Sequence, residues 1–157
     1  MLIRSATPAD IPVIIGLEQQ CATAAHWTVE QYRQAFQSGS ATRVVLVAES
    51  PVTPASRPDV LRDVVGFLVA RHLAAEWELE NIVVAPTARR QGLGKRLLEA
   101  LFSAVRETNG GPVFLEVRES NAAARSLYER SGFEQTGRRK GYYADPVEDA
   151  VLYRCAL

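Results

Sequence analysis

The residues with the clearest chemical meaning stand in one short run between an apolar segment and an amphipathic one: Arg89, Arg90, Gln91, Gly92, Leu93, Gly94, Lys95 and Arg96. The two glycines let the backbone approach a ligand, because no Cβ stands in the way. The first N–H groups of the helix that follows have no partner within it, and the helix dipole adds positive potential there. With four basic side chains within eight residues, this run predicts a seat for a pyrophosphate and a further phosphate.

Two other phosphate-binding motifs do not fit this run. The dinucleotide-binding pattern GxGxxG would need its third glycine where Leu97 stands, and a Walker loop would need Ser or Thr where Arg96 follows Lys95. A nucleotide-binding protein is therefore the weakest functional alternative. An ordinary loop that leads into a solvated, basic helix start is the structural alternative.

A second candidate group lies between residues 115 and 133, where a strand, a turn and a helix follow one another. This order can bring the end of the strand, Asn121 and Tyr128 to one cleft. Asn121 stands where a helix cap is expected, so capping alone is the alternative to a role in the site. Tyr128 is equally compatible with a core tyrosine whose hydroxyl group finds a partner.

The elements that must position these residues follow from apolar periodicity and turn residues. We predict strands over residues 2–4, 43–49, 63–72, 76–84, 113–117, from 133 onward and over 150–156. Helices are predicted from residue 7, over 28–37, over 93–108 and over 121–131, so the chain begins in the order β-α-α-β-β-β. Three prolines mark residues 50–62 as a mobile hairpin loop rather than a domain linker.

With both groups in view, the chain resembles a known family. Residues 89–94 are similar to the Q/R-x-x-G-x-G/A signature of the GNAT superfamily of N-acetyltransferases. Within that superfamily, residues 115–133 match every fixed position of L-E-V-R-x-S-N-x-x-A-x-x-L-Y-E-x-x-G-F, the pattern of the RimI-type ribosomal-protein alanine acetyltransferases. The resemblance covers essentially the whole chain, residues 1–157, as a single GNAT domain.

The resemblance implies an α/β fold of the α+β kind. Its central sheet would be mixed but mostly antiparallel, with six to seven strands, about four flanking helices and a splay between the fourth and fifth strands. A bulge at that splay would let the fourth strand pair with the pantetheine arm of acetyl-CoA through Ile82, Val83 and Val84. The cofactor's pyrophosphate would lie on the loop from Arg89 to Lys95.

The same resemblance implies roles for three side chains. Glu116 would accept the proton of the incoming amine, and Tyr128 would give a proton to the leaving CoA thiolate. Asn121 would form a hydrogen bond with the cofactor. No metal ion is implied.

Further carboxylates compete for the role of base. Glu76, Glu78 and Glu80 alternate along one face of the fourth strand, and some acetyltransferases use a glutamate there. A solvated strand edge is the structural alternative. Alternating acidic residues also suggest a negative cleft that suits a basic peptide.

On the acceptor side, the resemblance implies four substrate-binding residues: Trp27, Glu80, Tyr142 and Tyr143. The subfamily's P-W-S segment has His26 in place of proline here, and its R-R-x-Y-Y…E-D-A ending has Lys140 in place of the second arginine. For Trp27, a hydrophobic contact at a helix start is the alternative.

The implied reaction is attack of a neutral amine on the acetyl thioester. An α-amine has a pKa of about 7.7–8.0 and a lysine side chain one of about 10.4, a difference of roughly 3.4 kcal/mol. An N-terminal amine is therefore the easier acceptor, and the sequence predicts acetylation of a protein N-terminus, in particular a ribosomal-protein alanine. The alternatives are a lysine or small-molecule amine acetyltransferase and a non-catalytic acyl-CoA-binding module.

Bulk properties limit the remaining classes of function. A chain of 157 residues suits one domain, and a net charge of zero argues against a general nucleic-acid or membrane binder. Cys21 and Cys155 form neither a metal-ligand pattern nor a CxxC motif, and a reducing, cytoplasmic setting suits them. The predicted partners are acetyl-CoA and a protein N-terminus, and the sequence leaves monomer and dimer open.

Overall fold

The computed structural model describes residues 1–37, 42–51 and 62–157. The helices are α1 (Ile11–Gln19), α2 (Val29–Ala35), α3 (Leu93–Glu107) and α4 (Ala122–Arg130). The strands are β1 (Leu2–Ser5), β2 (Arg43–Pro51), β3 (Arg62–Leu73), β4 (Glu76–Val84), β5 (Val113–Arg118), β6 (Glu134–Ala144) and β7 (Val147–Cys155). They form one sheet in the order β1-β2-β3-β4-β5-β7-β6, and every neighbouring pair is antiparallel except β4 and β5.

The predicted fold class and the opening order β-α-α-β-β-β are confirmed. The last strand is corrected: it begins at Val147, three residues before the predicted start, because β6 and β7 pair as a long hairpin with Ala144 opposite Val147. β6 and the first three residues of β7 are exposed or half-buried, so this part of the hairpin carries little apolar alternation to read from sequence. The predicted loop lies largely outside the described residues, since 52–61 are not described.

Helices cover both faces of the sheet. On β3, Phe67 contacts the ring of Tyr32 in α2, whereas a Cβ on the adjacent Gly66 would lie against Leu93 and Leu97 of α3. Adjacent residues of a strand face opposite sides, so α2 and α3 pack on opposite faces. The apolar side of α3 is buried as a stripe of helical spacing: Leu93, Leu97, Leu98, Leu101, Phe102 and Val105.

The sheet opens between β4 and β5. Only two residue pairs join these strands, Trp77 with Val113 and Glu78 with Phe114, although β4 continues to Val84. Immediately after these pairs, β4 carries a bulge at Glu80, which has no residue opposite it on β3. The predicted splay between the fourth and fifth strands is thus confirmed. None of the described helices is both long and apolar enough to cross a membrane.

Candidate active site

A cavity of about 1760 Å³ occupies the opening between β4 and β5. It runs from the N-terminal ends of α3 and α4 to the segment that joins α1 and α2 and to the tip of the β6–β7 hairpin. Two sequence-predicted residues do not line it: the side chain of Val83 is buried, and Gln91 donates to the carbonyl of Thr87. The others line it: Trp27, Glu80, Ile82, Val84, Arg89, Arg90, Gly92, Leu93, Gly94, Lys95, Glu116, Asn121, Tyr128, Tyr142 and Tyr143.

The loop before α3 turns its backbone toward this cavity. Arg90 and Gly92 have φ angles of 61° and 75°, a left-handed conformation that glycine adopts without strain. The first helical hydrogen bond of α3 runs from Arg96 to the carbonyl of Gly92. The N–H groups of the three intervening residues, 93–95, therefore remain available to an anion.

Three of the four basic side chains of this loop line the cavity. Arg89, Arg90 and Lys95 do so, but Arg96 donates to the carbonyl of Met1 at 3.1 Å, away from the cavity. The fourth basic charge predicted for the phosphate seat is therefore absent from it. Gly94 has a packing role, because an added Cβ would lie 2.9 Å from Cδ2 of Leu127 on α4.

The backbone of β4 presents unpaired groups on the side of the splay. The N–H of Ala85 donates to Val65 of β3, so the alternation of an antiparallel ladder turns the N–H of Val83 to β3 as well. The N–H groups of Ile82 and Val84 then face the cavity. In agreement, the carbonyl of Val84 accepts from Nε of Arg89 at 3.1 Å rather than from β3.

Glu116 projects from β5 at the end of the opening next to the β6–β7 hairpin tip, which is the predicted acceptor end. Nε of Arg139 lies 3.1 Å from its carboxylate, and the hydroxyl of Tyr142 lies beside it. The Glu116 carboxylate, as an acceptor of that hydroxyl proton, raises the pKa of Tyr142. The Glu116 carboxylate thus has a cation and a hydroxyl donor beside it.

Tyr128 has a buried ring and a hydroxyl group without a protein partner. The ring packs against Phe133 and Tyr153, with ring-centre distances of 5.7 and 6.2 Å. No residue within the described ranges forms a hydrogen bond with its hydroxyl, and the residue lines the cavity. Burial raises the pKa of Tyr128, so this hydroxyl keeps its proton at neutral pH.

Asn121 has the capping geometry that its position suggests. Its Oδ1 accepts from the backbone N–H of Ala124 at 3.2 Å, so it is the N-cap of α4. The residue also lines the cavity. Capping and cavity lining are therefore compatible here, since the amide NH₂ is not needed for the cap.

The competing carboxylates on β4 are paired with arginines. Glu80 accepts from Arg43 at 2.9 and 3.2 Å and lies 3.4 Å from Arg71, which also donates to Glu78 at 2.6 Å. Both oxygens of Glu80 are occupied by arginines. Glu80 therefore connects the bulge of β4 to Arg43 on β2 and Arg71 on β3. The arginines thus offset the charges of Glu78 and Glu80. Glu76 lies outside the cavity, so the three glutamates are not equivalent.

The sequence of this chain also matches a known protein family. Residues 18–133 match the model of the acetyltransferase (GNAT) family. The chain belongs to the GNAT family.

Two curated GNAT relatives have informative names. The [ribosomal protein bS18]-alanine N-acetyltransferase of Haemophilus influenzae is 40% identical over 97 residues, 60% of this chain and 66% of that protein. The protein of the same name from Escherichia coli K12 is 42% identical over 88 residues, 55% of this chain and 60% of that protein. The matched segment thus spans less than two thirds of either relative.

A solved structure extends the similarity to nearly the whole chain. The crystal structure of the ribosomal-protein-S18-alanine N-acetyltransferase from Escherichia coli superposes with a TM-score of 0.76 and 30% identity. It covers 99% of this chain and 92% of that one.

The ending E-D-A of the GNAT chain has a structural explanation that sequence reasoning missed. Asp149 accepts from the N–H of Gly141 at 2.9 Å. This bond stabilises the register shift of β6 between Arg139 and Tyr143, the stretch that contains Tyr142. Glu148 accepts from the N–H of Ser120 at 3.1 Å and pairs with Arg118 at 3.3 Å. These bonds lower the pKa of both carboxyls. The pair thereby fixes the hairpin tip beside Glu116.

Sequence reasoning also missed Glu18 and Asn81, which lie buried under the acceptor end. Asn81 interrupts the apolar end of β4, and Glu18 follows Leu17 at a buried position of α1. A polar residue at a position where the periodicity requires an apolar one was the available signal.

Proposed function

We propose that this chain transfers the acetyl group of acetyl-CoA to the N-terminal α-amine of a protein, a ribosomal-protein alanine. One observation carries the proposal: a single cavity joins the free N–H groups of α3 to the Glu116 carboxylate, with the unpartnered Tyr128 hydroxyl also in its wall. The names of the curated relatives, [ribosomal protein bS18]-alanine N-acetyltransferase, support this acceptor. A ribosomal acceptor would put the reaction in the cytoplasm.

Acetyl-CoA would bind along the wall formed by β4 and α3. Its pyrophosphate would accept from the N–H groups of residues 93–95, with Arg89, Arg90 and Lys95 adding charge. The pantetheine arm would pair with the backbone of Ile82 and Val84, and the amide of Asn121 would contribute a donor. The N–H of Val84, which faces the cavity, would polarise the thioester carbonyl.

The transfer would be direct attack of the amine nitrogen on the thioester carbonyl carbon, with cleavage of the C–S bond. Glu116 would take the proton that the amine loses. The Tyr128 hydroxyl would give its proton to the departing CoA sulfur. An α-amine, with a pKa near about 8, is neutral more often at physiological pH than a lysine side chain with a pKa of about 10.4, so it asks less of this base.

Aromatic side chains would form the acceptor's binding wall. Trp27 and Tyr142 line the acceptor end of the cavity, and Tyr143 is held there under the guanidinium of Arg118, 4.3 Å from its ring centre. Their position around Glu116 would leave room for the first residues of an extended chain. Glu80 would contribute through its arginine pairs rather than by direct contact.

The test uses purified protein, acetyl-CoA and two peptides. One peptide has a free N-terminal alanine and one internal lysine, and the other is the same peptide with a blocked N-terminus. Fragment-ion mass spectrometry then locates the added acetyl group. We expect label on the free α-amine alone, and loss of about 10²-fold or more in kcat for Glu116→Gln. Label on the lysine of both peptides would overturn the proposed acceptor.

A further inference from the structure

Glu18 is a buried carboxylate without a basic partner. Its residue exposure is 1%, near the end of α1, and no basic side chain in the described ranges forms an ion pair with it. Burying a charge without a counter-ion is costly, so such a group needs several hydrogen-bond donors. Glu18 has them.

Three donors from separate segments converge on this carboxylate. Nδ2 of Asn81 on β4 donates to one oxygen, and the backbone N–H of Trp27 donates to the other at 3.1 Å. The third is the buried hydroxyl of Tyr32 on α2, which lies beside Glu18 and accepts from Nδ2 of Asn81 at 3.4 Å. Burial and the adjacent Glu18 raise the pKa of this hydroxyl, so it stays protonated. A carboxylate accepts at both oxygens and donates at neither, whereas a glutamine would turn its own NH₂ toward one of these donors.

The carboxylate links two walls of the cavity. Asn81 directly follows the bulge at Glu80 and precedes Ile82, whose N–H faces the cavity. Trp27 lines the acceptor end, 5.3 Å from the ring of Tyr32 and 5.7 Å from the guanidinium of Arg43. The Glu18 side chain therefore connects the segment before α2 to β4, the strand along which the thioester would bind.

We propose that Glu18 is a positioning residue for the acceptor. It holds Trp27, and with it the cavity wall before α2, against β4, so that the acceptor's amine lies at the correct distance from the thioester. This inference rests on the proposed function in one respect, because its kinetic readout needs an amine acceptor. The bond from Trp27 to Glu18 can also be measured without any acceptor.

The kinetic experiment compares Glu18→Gln with the control Glu30→Gln, which changes an exposed acid on α2. For the free-alanine peptide, we expect KM to rise about tenfold or more in Glu18→Gln, the effect of one buried hydrogen bond left unmade. KM for acetyl-CoA should stay within about twofold, because the hydrogen bonds of Glu18 in the described part of the chain involve Asn81, Trp27 and Tyr32 and not the loop before α3. Equal rises in both KM values, or a peptide KM like that of the control, would overturn the positioning role.

A double-mutant cycle tests the route of the effect. If Glu18 acts through Trp27, the rise in peptide KM caused by Glu18→Gln should largely disappear in a Trp27→Ala background. Additive effects of the two substitutions would contradict the proposed route. Should Glu18→Gln fail to fold, Asn81→Ala removes one of the three donors and should give a smaller rise in peptide KM with the same dependence on Trp27.

Hydrogen exchange provides the readout that is independent of the acceptor. In Glu18→Gln, amides of residues 20–28 should exchange faster, while those of α3 keep their protection. Faster exchange with no acetylation of any peptide by the wild-type protein would sink the proposed function but not the tie between Glu18 and Trp27. Unchanged exchange over 20–28 would sink the inference itself.

Discussion

Tyr128 and Tyr153 lie 6.2 Å apart between ring centres, yet their hydroxyl groups have opposite surroundings. The hydroxyl of Tyr153 donates to Glu129 at 2.6 Å and accepts from Arg125 at 3.1 Å. The hydroxyl of Tyr128 has no partner in the described part of the chain. Neither residue type nor burial separates the two, since both rings belong to the core. They differ in whether a polar group of the protein lies within hydrogen-bond distance of the hydroxyl.

Because of this difference, Tyr128→Phe and Tyr153→Phe form a matched pair of substitutions that separates a role in catalysis from one in stability. Tyr128→Phe removes no internal hydrogen bond, so its melting temperature should remain near that of the wild type, while kcat falls about 10²-fold because the proton donor is lost. Tyr153→Phe loses two hydrogen bonds and should lower the melting temperature by several degrees, with about 1 kcal/mol for each bond, yet keep its kcat. Thermal unfolding and initial rates check both. Full activity of Tyr128→Phe would exclude it as the proton donor.

At the scale of elements, the width of the opening depends on how β5 begins. Gly111 has a φ of 123°, and an added Cβ there would lie 2.5 Å from the carbonyl oxygen of Ala75 in the turn between β3 and β4. The next residue, Pro112, accepts from the N–H of Trp77 at 2.8 Å. Close backbone approach at Gly111 therefore lets β5 join β4 for the two pairs that precede the splay.

Gly111→Ala should destabilise the protein by about 1–3 kcal/mol or more, because both the backbone angle and the adjacent carbonyl oppose the new methyl group. Gly16→Ala is the control: Gly16 lies within α1, and its Cβ would meet nothing within 4 Å. That substitution should stabilise the protein by about 0.5–1 kcal/mol through helix propensity. Urea unfolding measures both, and a neutral Gly111→Ala would contradict the close approach.

A second contact between elements joins β1 to the residues just before α1. Arg4 on β1 binds both oxygens of Asp10 at 2.8 and 3.0 Å, and Asp10 also accepts from the N–H of Thr7 at 2.8 Å. The Arg4 guanidinium is the main cause that lowers the pKa of Asp10 below its usual value. A carboxyl with a lowered folded-state pKa stabilises the fold above its unfolded pKa of about 3.9. That stabilisation is lost as the pH falls through the lower, folded value.

Asp10→Asn should therefore lower the melting temperature at pH 7 by about 2–4 °C, corresponding to roughly 1 kcal/mol in a chain of this size. Below the folded pKa of Asp10, the wild type and Asp10→Asn should melt at nearly the same temperature, since the wild-type carboxyl is then protonated as well. Melting curves over a range of pH measure this. A constant difference between the two proteins at every pH would rule out the ionised pair as its source.

At the scale of the whole molecule, the cavity is bounded by parts of the fold that are far apart along the chain. Its walls come from α3 and α4, from β4 and β5, from the segment before α2 and from the hairpin tip. A ligand that spans these walls binds only the folded chain, and binding then stabilises the entire fold.

Coenzyme A at about 100 times its Kd should thus add about 2.7 kcal/mol to the free energy of unfolding, or about 5–10 °C in melting temperature. ATP is the control, because it offers phosphates and adenine but no pantetheine arm for β4. Thermal shift with each ligand makes the comparison. An equal or larger shift with ATP would favour the nucleotide-binding alternative.

The sequence by itself determined the features that depend on neighbours along the chain. The glycine-rich turn before α3, the helix cap at Asn121, the apolar stripe of α3 and the order of elements all follow from spacing over a few residues. For the same reason, the runs 89–94 and 115–133 together indicated the family that the match over 18–133 then established.

Only the tertiary structure decided which polar groups are free. Glu80 is paired with an arginine 37 residues away, Asn81 binds Glu18 at a separation of 63, and Arg96 reaches the carbonyl of Met1 across 95. No local pattern encodes such pairs, because each depends on how two distant segments come together in the sheet. A carboxylate's residue type determines what it can do, but only the donors that surround it in the fold decide whether it is free to act.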